Sequence, residues 1–290
     1  MSANGRAVAV YSSTFVRVHQ WNPSNLLWIQ KGNNDIALPN NNKDINVVAF
    51  SSDGSTVVVV TTAASARLGA GTVRVYRISD TNNGVWVEQT PIVSGQDVTR
   101  FQDAVDVSSD GNVLVVAGTT TASSSMAALV YSYNDISKEY VLLGSPLYLT
   151  MDNSMMDYPI TSVAISDNGT TVVAGGGGPG TTTAIWELTT SSNNNNNNNT
   201  DWTRIGPLLL WAGTAVDSLE LSVDGATVAI QTNERVRVLD RQFNEWVQRG
   251  QDELVMGPLA TALSGDGNTV IVGSFNSTST NGEAAVFLWE

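Results

Sequence analysis

Short apolar runs alternate with polar tight turns along the whole chain. Val47-Val48-Ala49-Phe50 leads into Ser51-Ser52-Asp53-Gly54, and Thr56-Val57-Val58-Val59-Val60 follows. The same order recurs at Ser108-Ser109-Asp110-Gly111, Ser166-Asp167-Asn168-Gly169, Ser222-Val223-Asp224-Gly225 and Ser264-Gly265-Asp266-Gly267. Asn4-Gly5 has the look of a sixth copy. Short, nearly continuous β-branched runs suit strands buried on both faces. An Asp-Gly or Asn-Gly pair between two such runs predicts a type I′ hairpin turn, with positive φ at both residues. Each Asp is then a turn former.

The turn glycines Gly5, Gly54, Gly111, Gly169, Gly225 and Gly267 are 49, 57, 58, 56 and 42 residues apart. A period of roughly 40–60 residues with several strands per unit is the signature of a β-propeller or related array. Four strands fit each period. Strand A ends at the turn, and strand B follows it. Strand C is the next alternating segment, as in Val73-Arg74-Val75-Tyr76 and Val236-Arg237-Val238-Leu239. Strand D carries one aromatic, namely Trp28, Trp86, Tyr140, Trp202 or Trp246, and often a glycine closes it, as at Gly32, Gly144, Gly206 and Gly250. One aromatic at a fixed place in each repeat fits packing between blades better than a platform for sugars. The first repeat lacks A and the last lacks D, so 22 strands are expected. The predicted fold is an all-β propeller of about six four-stranded antiparallel blades, with incomplete first and last blades, in a single domain over residues 1–290. The alternative is five D-A-B-C units, from Leu26 to Glu290, with the first hairpin left over.

Composition agrees with an all-β class. Charged residues are only 14% of the chain, and lysine, a helix former, is nearly absent. The net charge of −13 argues against nucleic acid and anionic membranes as partners. The lack of cysteine excludes disulfides, thiolate catalysis and Cys-based zinc sites. No apolar run reaches the ~18 residues of a membrane span, so no membrane insertion is expected. Met1-Ser2-Ala3-Asn4-Gly5-Arg6 lacks a signal-peptide pattern. The compartment is left open: intracellular, or extracellular or cell-surface if the chain is a fragment of a larger protein.

The connecting segments differ from repeat to repeat. The B-to-C segments 61–71, 119–126, 175–183 and 274–282 are rich in Thr, Ser, Ala and Gly. Residues 193–199 are seven consecutive asparagines, and this tract within 190–200 is expected to be disordered. The D-to-A segments hold scattered acids, including Asp35 and Asp217. In a four-strand meander these two kinds of loop emerge on one face, and propellers bind through variable loops on a rigid frame. The candidate ligand-binding residues on that face are Asp97, Asp103, Asp152, Asp157, Tyr158, Trp211, Asp252 and Glu253.

Val47-Val48-Ala49-Phe50-Ser51-Ser52-Asp53-Gly54, with Gly71-Thr72-Val73-Arg74-Val75-Tyr76 further on, resembles a WD-type propeller repeat. No Gly-His pair occurs in a D-to-A loop and no Trp-Asp pair ends strand C. Arg100-Phe101 followed by Ala104-Val105-Asp106-Val107-Ser108-Ser109-Asp110-Gly111 is similar to the longer FG-GAP-like propeller modules of large surface or secreted proteins. The resemblance covers nearly the whole chain. It implies a fold and an adhesive or scaffolding role, and no activity.

Chemistry is sparse. Calcium loops need several oxygens close together, and each turn offers a single Asp; Gln102-Asp103 with Asp106 is the densest cluster. No cofactor is expected, with calcium as the alternative. His19 is the only histidine and lacks a ligand partner. Gly175-Gly176-Gly177-Gly178-Pro179-Gly180 precedes no Lys or helix and reads as a flexible loop, not a phosphate cradle. Arg17, Arg74 and Arg237 sit on C strands in structural roles. The expected function is a non-enzymatic module for protein binding, adhesion or scaffolding through the acidic loop face. The alternative is a carbohydrate-active propeller, either a glycoside hydrolase, a sialidase-like enzyme or a lectin. The expected partner is a protein or glycan ligand, and the expected state is a monomer.

Overall fold

The computed structural model describes every residue except 1–4, 13, 38–42, 64–70, 80–83, 94–97, 150–158, 179, 193–197, 212–214, 234, 251–257, 277–280 and 290, with the backbone alone at 43–46, 62–63, 93, 103, 178, 180–181, 191–192, 198–199, 211, 258–259, 275–276 and 281. The chain divides into two compact units, Met1–Ser125 with Val130–Leu142, and Met126–Leu129 with Leu143–Glu290.

In the first unit, β1 (Ala7–Tyr11), β2 (Phe15–Asn22) and β3 (Leu27–Gln30) form one sheet, and β4 (Ile36–Ala37) also pairs with β2. The second sheet is β5 (Lys43–Phe50), β6 (Thr56–Ala63), β7 (Thr72–Ser79) and β8 (Val85–Glu88), with β9 (Ile92–Val93) on β7. The third is β10 (Val98–Val107), β11 (Val113–Thr120), β12 (Met126–Asn134) and β13 (Glu139–Leu142), and the unit boundary runs through β12. In the second unit, β14 (Ile160–Ile165), β15 (Thr171–Gly178), β16 (Gly180–Ser192) and β17 (Asn198–Arg204) form a sheet, with β18 (Leu209–Trp211) on β16. The fifth sheet is β19 (Val216–Leu221), β20 (Thr227–Thr232), β21 (Val236–Gln242) and β22 (Glu245–Gln248). The sixth has three strands, β23 (Pro258–Leu263), β24 (Thr269–Asn276) and β25 (Asn281–Leu288).

These six antiparallel sheets are the blades of a six-bladed β-propeller, not five blades and a spare hairpin. Among the described residues there is no helix, hence none long and apolar enough to cross a membrane. Setting aside β4, β9 and β18 leaves the 22 strands that the repeat predicts. Those three are second halves of D strands. Val16 pairs with Ile36, Val73 with Ile92 and Thr183 with Leu209, further along the C strand than the first half of D reaches. Gly32 (φ 87°) and Gly206 (φ 73°) therefore bend strand D instead of closing it. The asparagine tract is also corrected at its end, because Asn198 and Asn199 belong to β17 and pair with Ser192 and Ser191. Asparagines 193–197 lie outside the described residues.

All five A-to-B turns are built alike. In the first, Gly54 N–H donates to Ser51 C=O at 2.9 Å, with Ser52 and Asp53 at the corner. Gly54 has φ 72°, and the other turn glycines lie between 69° and 72°. No turn Asp or Asn has positive φ, so the turn is not type I′. The left-handed glycine follows the corner and returns the chain to register as a bulge. The Asp acts through its side chain. Ser51 Oγ donates to Asp53 Oδ1 at 2.7 Å, and Ser55 N donates to the same oxygen at 2.8 Å. Ser51 Oγ accepts in turn from Thr56 N at 2.9 Å. Ser108 with Asp110, Ser166 with Asn168, Ser222 with Asp224 and Ser264 with Asp266 repeat the arrangement.

The turns also interlock between neighbouring sheets of a unit. A Cβ on Gly111 would stand 2.0 Å from Thr56 Oγ1, one on Gly225 would stand 2.6 Å from Thr171 Oγ1, and one on Gly267 would stand 2.7 Å from Thr227 Oγ1. Backbone bonds from Asp53 N to Ser109 O (3.1 Å) and Val223 N to Gly265 O (2.8 Å) run beside these contacts. Above the turns the sheets meet through apolar faces. Val16, Val18 and Ile36 pack on Val57, Val59, Tyr76 and Trp86 in the first unit. Val173 and Ile185 pack on Val216, Leu219, Val228 and Ile230 in the second. Each such side chain contributes about 1.5–3 kcal/mol by burial. The strand D aromatics Trp86, Tyr140, Trp202 and Trp246 are buried, as the packing role requires. Trp86 Nε1 donates to Lys31 O and Trp202 Nε1 to Leu143 O, each just before a strand D glycine. Trp28 departs from the rule: it is 44% exposed and rests on Trp21, with ring centroids 5.6 Å apart.

Candidate functional site at the bulged ends of the A strands

At the end of strand A away from the turn, every A strand breaks register. The slips fall between Ile45 and Val47, Phe101 and Val105, Ile160 and Ser162, Val216 and Ser218, and Pro258 and Ala260. The inserted positions include Asn46, Asp103, Thr161, Asp217 and Leu259. Each lies eight residues before its turn glycine. A bulge unpairs one residue, twists the strand and re-aims a side chain, and bulges are frequent beside active sites.

In the second unit two of these bulges meet. Thr161 Oγ1 donates to Val216 O at 2.5 Å, so a side chain of β14 grips the peptide that leads into Asp217 of β19. Val216 is fully buried against Gly175, where an added Cβ would stand 2.8 Å from Val216 Cγ2. A Cβ on Gly176 would stand 1.7 Å from Pro159 O. Gly175 and Gly176 thus belong to β15 and are glycines because neighbouring strands press on them. The glycine run expected to be a flexible loop is strand through Gly178, which pairs with Gly180; Pro179 lies outside the described residues. One strand over, Thr261 Oγ1 donates to the buried Gln231 Oε1 at 2.7 Å.

Asp217 differs electrostatically from Asp35, Glu187, Asp201, Asp224 and Asp266. Its side chain reaches water, yet enough protein surrounds the carboxyl to push its pKa above the ordinary value, with burial as the cause. Among the described residues it has neither a hydrogen-bond donor nor a cation beside it. Those five carboxyls shift the other way. Arg17 holds Asp35 low and Arg241 holds Glu187 low. The backbone N–H groups of Ser145 and Trp202 lower Asp201, and the turn hydroxyls of Ser222 and Ser264 lower Asp224 and Asp266.

The residues expected to form the acidic face are only partly placed. Asp97, Asp152, Asp157, Tyr158, Asp252 and Glu253 lie outside the described residues. Asp103 belongs to β10 and Trp211 to β18, not to loops, with backbone alone described. Asp35 is an ion-pair partner of Arg17 at 2.5 Å, and Asp217 sits in β19. Arg17 and Arg74 pair with Asp35 and Glu88, in structural roles. Sequence reasoning missed Thr161 entirely. Its signal was available: it stands at the same distance from its turn glycine as Asp103 and Asp217.

No protein-family model and no curated protein matches the chain. Solved structures do. The periplasmic gluconolactonase of Pseudomonas aeruginosa is similar over 96% of this chain and 82% of its own, with 16% identity and a TM-score of 0.56. A candidate 6-phosphogluconolactonase of Bacteroides fragilis is similar over 98% of this chain and 78% of its own, with 12% identity and a TM-score of 0.56. A functionally unknown protein of Desulfotomaculum acetoxidans has a TM-score of 0.53, with 16% identity over 97% of this chain and 78% of its own. At these identities the likeness is one of fold. It corrects the non-enzymatic binding or scaffolding role expected from the sequence, together with its glycosidase, sialidase and lectin alternative. Structures of this fold carry lactonase names, so a regular repeat without convergent His, Cys or Lys chemistry is no argument against catalysis.

Proposed function

We propose that this chain hydrolyses the internal ester of a sugar lactone, in the class of gluconolactone. The observation that carries this reading is the likeness to solved structures over nearly the whole chain, two of them bearing lactonase names. The chemistry is compatible with the residues at hand. Opening a lactone needs a positioned water, a carboxylate to accept its proton and donors for the carbonyl oxygen. It needs no thiolate and no histidine pair. The net charge of −13 opposes a phosphorylated substrate, so the reading takes a neutral sugar. The reading takes the substrate to lie at the bulged ends of β14 and β19, and keeps Asp97, Asp103, Asp152, Asp157, Tyr158, Trp211, Asp252 and Glu253 as candidate binding residues on the strength of the sequence. A site of action outside the cytoplasm belongs to the same reading.

The test is proton release at constant pH from glucono-δ-lactone and its 6-phosphate, against the uncatalysed rate. The expected result is acceleration with the neutral lactone, lost when Asp103, Asp157 and Asp252 are replaced together by Asn. Rates equal to the uncatalysed ones for both lactones would end the proposal.

A further inference from the structure

We infer that Asp217, presented by the bulge in β19, is the general base of this lactone site, and that Thr161 is its positioning residue. The inference rests on the lactonase reading and names the group that acts.

A general base must be ionised at working pH and still have a free lone pair. The partnered acids are weaker bases, because the hydrogen bonds they accept stabilise the carboxylate and hold its pKa low. Glu187 accepts two hydrogen bonds from Arg241, at 2.7 and 2.9 Å, and Asp224 accepts from Ser222 and from Ala226 N. Asp217 has no such donor among the described residues. Its bulge removes it from the alternation that turns strand residues toward one sheet face or the other. Burial makes its carboxylate more basic than usual. An unpaired, partly desolvated carboxylate brings folding no benefit, which points to use in chemistry.

Thr161 supplies the geometry. Its hydroxyl holds the carbonyl of Val216, and that carbonyl shares a peptide plane with Asp217 N. The buried Val216 side chain, fitted against Gly175, anchors the other side of the same residue. The bulge is thereby clamped on both sides, and Asp217 hangs from a fixed peptide.

In the reaction, Asp217 takes a proton from water as the water oxygen bonds to the lactone carbonyl carbon. The tetrahedral adduct collapses and the ring C–O bond breaks. The proton passes from Asp217 to the departing ring oxygen, which restores the carboxylate and leaves a hydroxy acid.

The experiment measures kcat, KM and their pH dependence for glucono-δ-lactone with the full chain. Asp217→Asn is expected to lower kcat about 100-fold or more, with KM nearly unchanged. It should also remove the low-pH limb of the wild-type profile, a limb displaced upward from the ordinary Asp value. Thr161→Val is expected to lower kcat and displace that limb, and Thr161→Ser to restore both. A wild type no faster than the uncatalysed rate removes the lactonase reading and this assignment with it. An active wild type matched by a folded, equally active Asp217→Asn removes the assignment alone. A Thr161→Ser variant as impaired as Thr161→Val refutes the positioning role.

Discussion

Replacing Gly111 by Ala tests the interlock between blades. Two penalties follow from the structure. Gly111 has φ 72°, and an L side chain in that region costs about 1–2 kcal/mol. The new Cβ would also stand 2.0 Å from Thr56 Oγ1 and 2.5 Å from Thr56 Cβ. Thr56 is fully buried and cannot swing away, so overpacking adds about 1–3 kcal/mol. The expected total is roughly 2–5 kcal/mol. Gly5 separates the two contributions, because it has φ 66° and nothing within 4 Å of an added Cβ, so Gly5→Ala should cost only the first. Thr56→Gly clears all three clashing atoms and should recover about 1–3 kcal/mol of the Gly111→Ala penalty in a double-mutant cycle. All three positions lie in the first unit, and urea titrations followed by tryptophan fluorescence would read the differences at a common m-value. Equal costs for Gly111→Ala and Gly5→Ala, or no coupling with Thr56→Gly, would refute the interlock.

Other expectations follow from single contacts. Gly175→Ala should destabilise by about 1–3 kcal/mol through its overlap with Val216, and Val216→Ala should return part of that loss; additive costs in thermal melts would count against the close approach. Trp202→Phe should cost about 1 kcal/mol or more in urea titration, because Leu143 C=O loses its indole donor. Glu187 has its pKa lowered by Arg241, so its contribution is present above the unfolded-state pKa and is lost as pH falls through the folded one. The wild type should therefore lose stability relative to Glu187→Gln between about pH 5 and 3, and parallel unfolding midpoints across that range would sink the assignment.

Local chemistry was legible in the sequence, and long-range fit was not. The Ser-x-Asp-Gly turns announce themselves because glycine freedom and Asp side-chain acceptance act within five residues. Their type was misjudged because type I′ and the bulged corner both need a left-handed glycine, and only the Asp backbone tells them apart. Gly206 followed by a proline reads as a stop, and nothing local shows that β18 resumes pairing with β16. Gly175 and Gly176 have no side-chain period to read, and the reasons for them are Val216 and Pro159, which only the fold brings close. Asp217 counted as a loop acid because a bulge is a property of register, invisible in residue type. Function was misjudged for a related reason: repeat regularity reports how blades pack and is silent on what the irregular positions do.

The two ends of strand A divide these tasks. At the turn end, Ser, Asp or Asn, and Gly recur in all five copies, and Thr follows in four of them, at 56, 171, 227 and 269. Each is fixed by a bond or a contact, so a change there costs stability. At the bulged end the inserted residues are Asn46, Asp103, Thr161, Asp217 and Leu259, with no common chemistry. A bulge has already broken the ladder, so its residue can change without breaking a further backbone pair. That freedom lets one blade carry a threonine that grips its neighbour's backbone and the next carry an unpaired carboxylate. Chemistry can be installed at this end of the strand while the turn end keeps the blades in register.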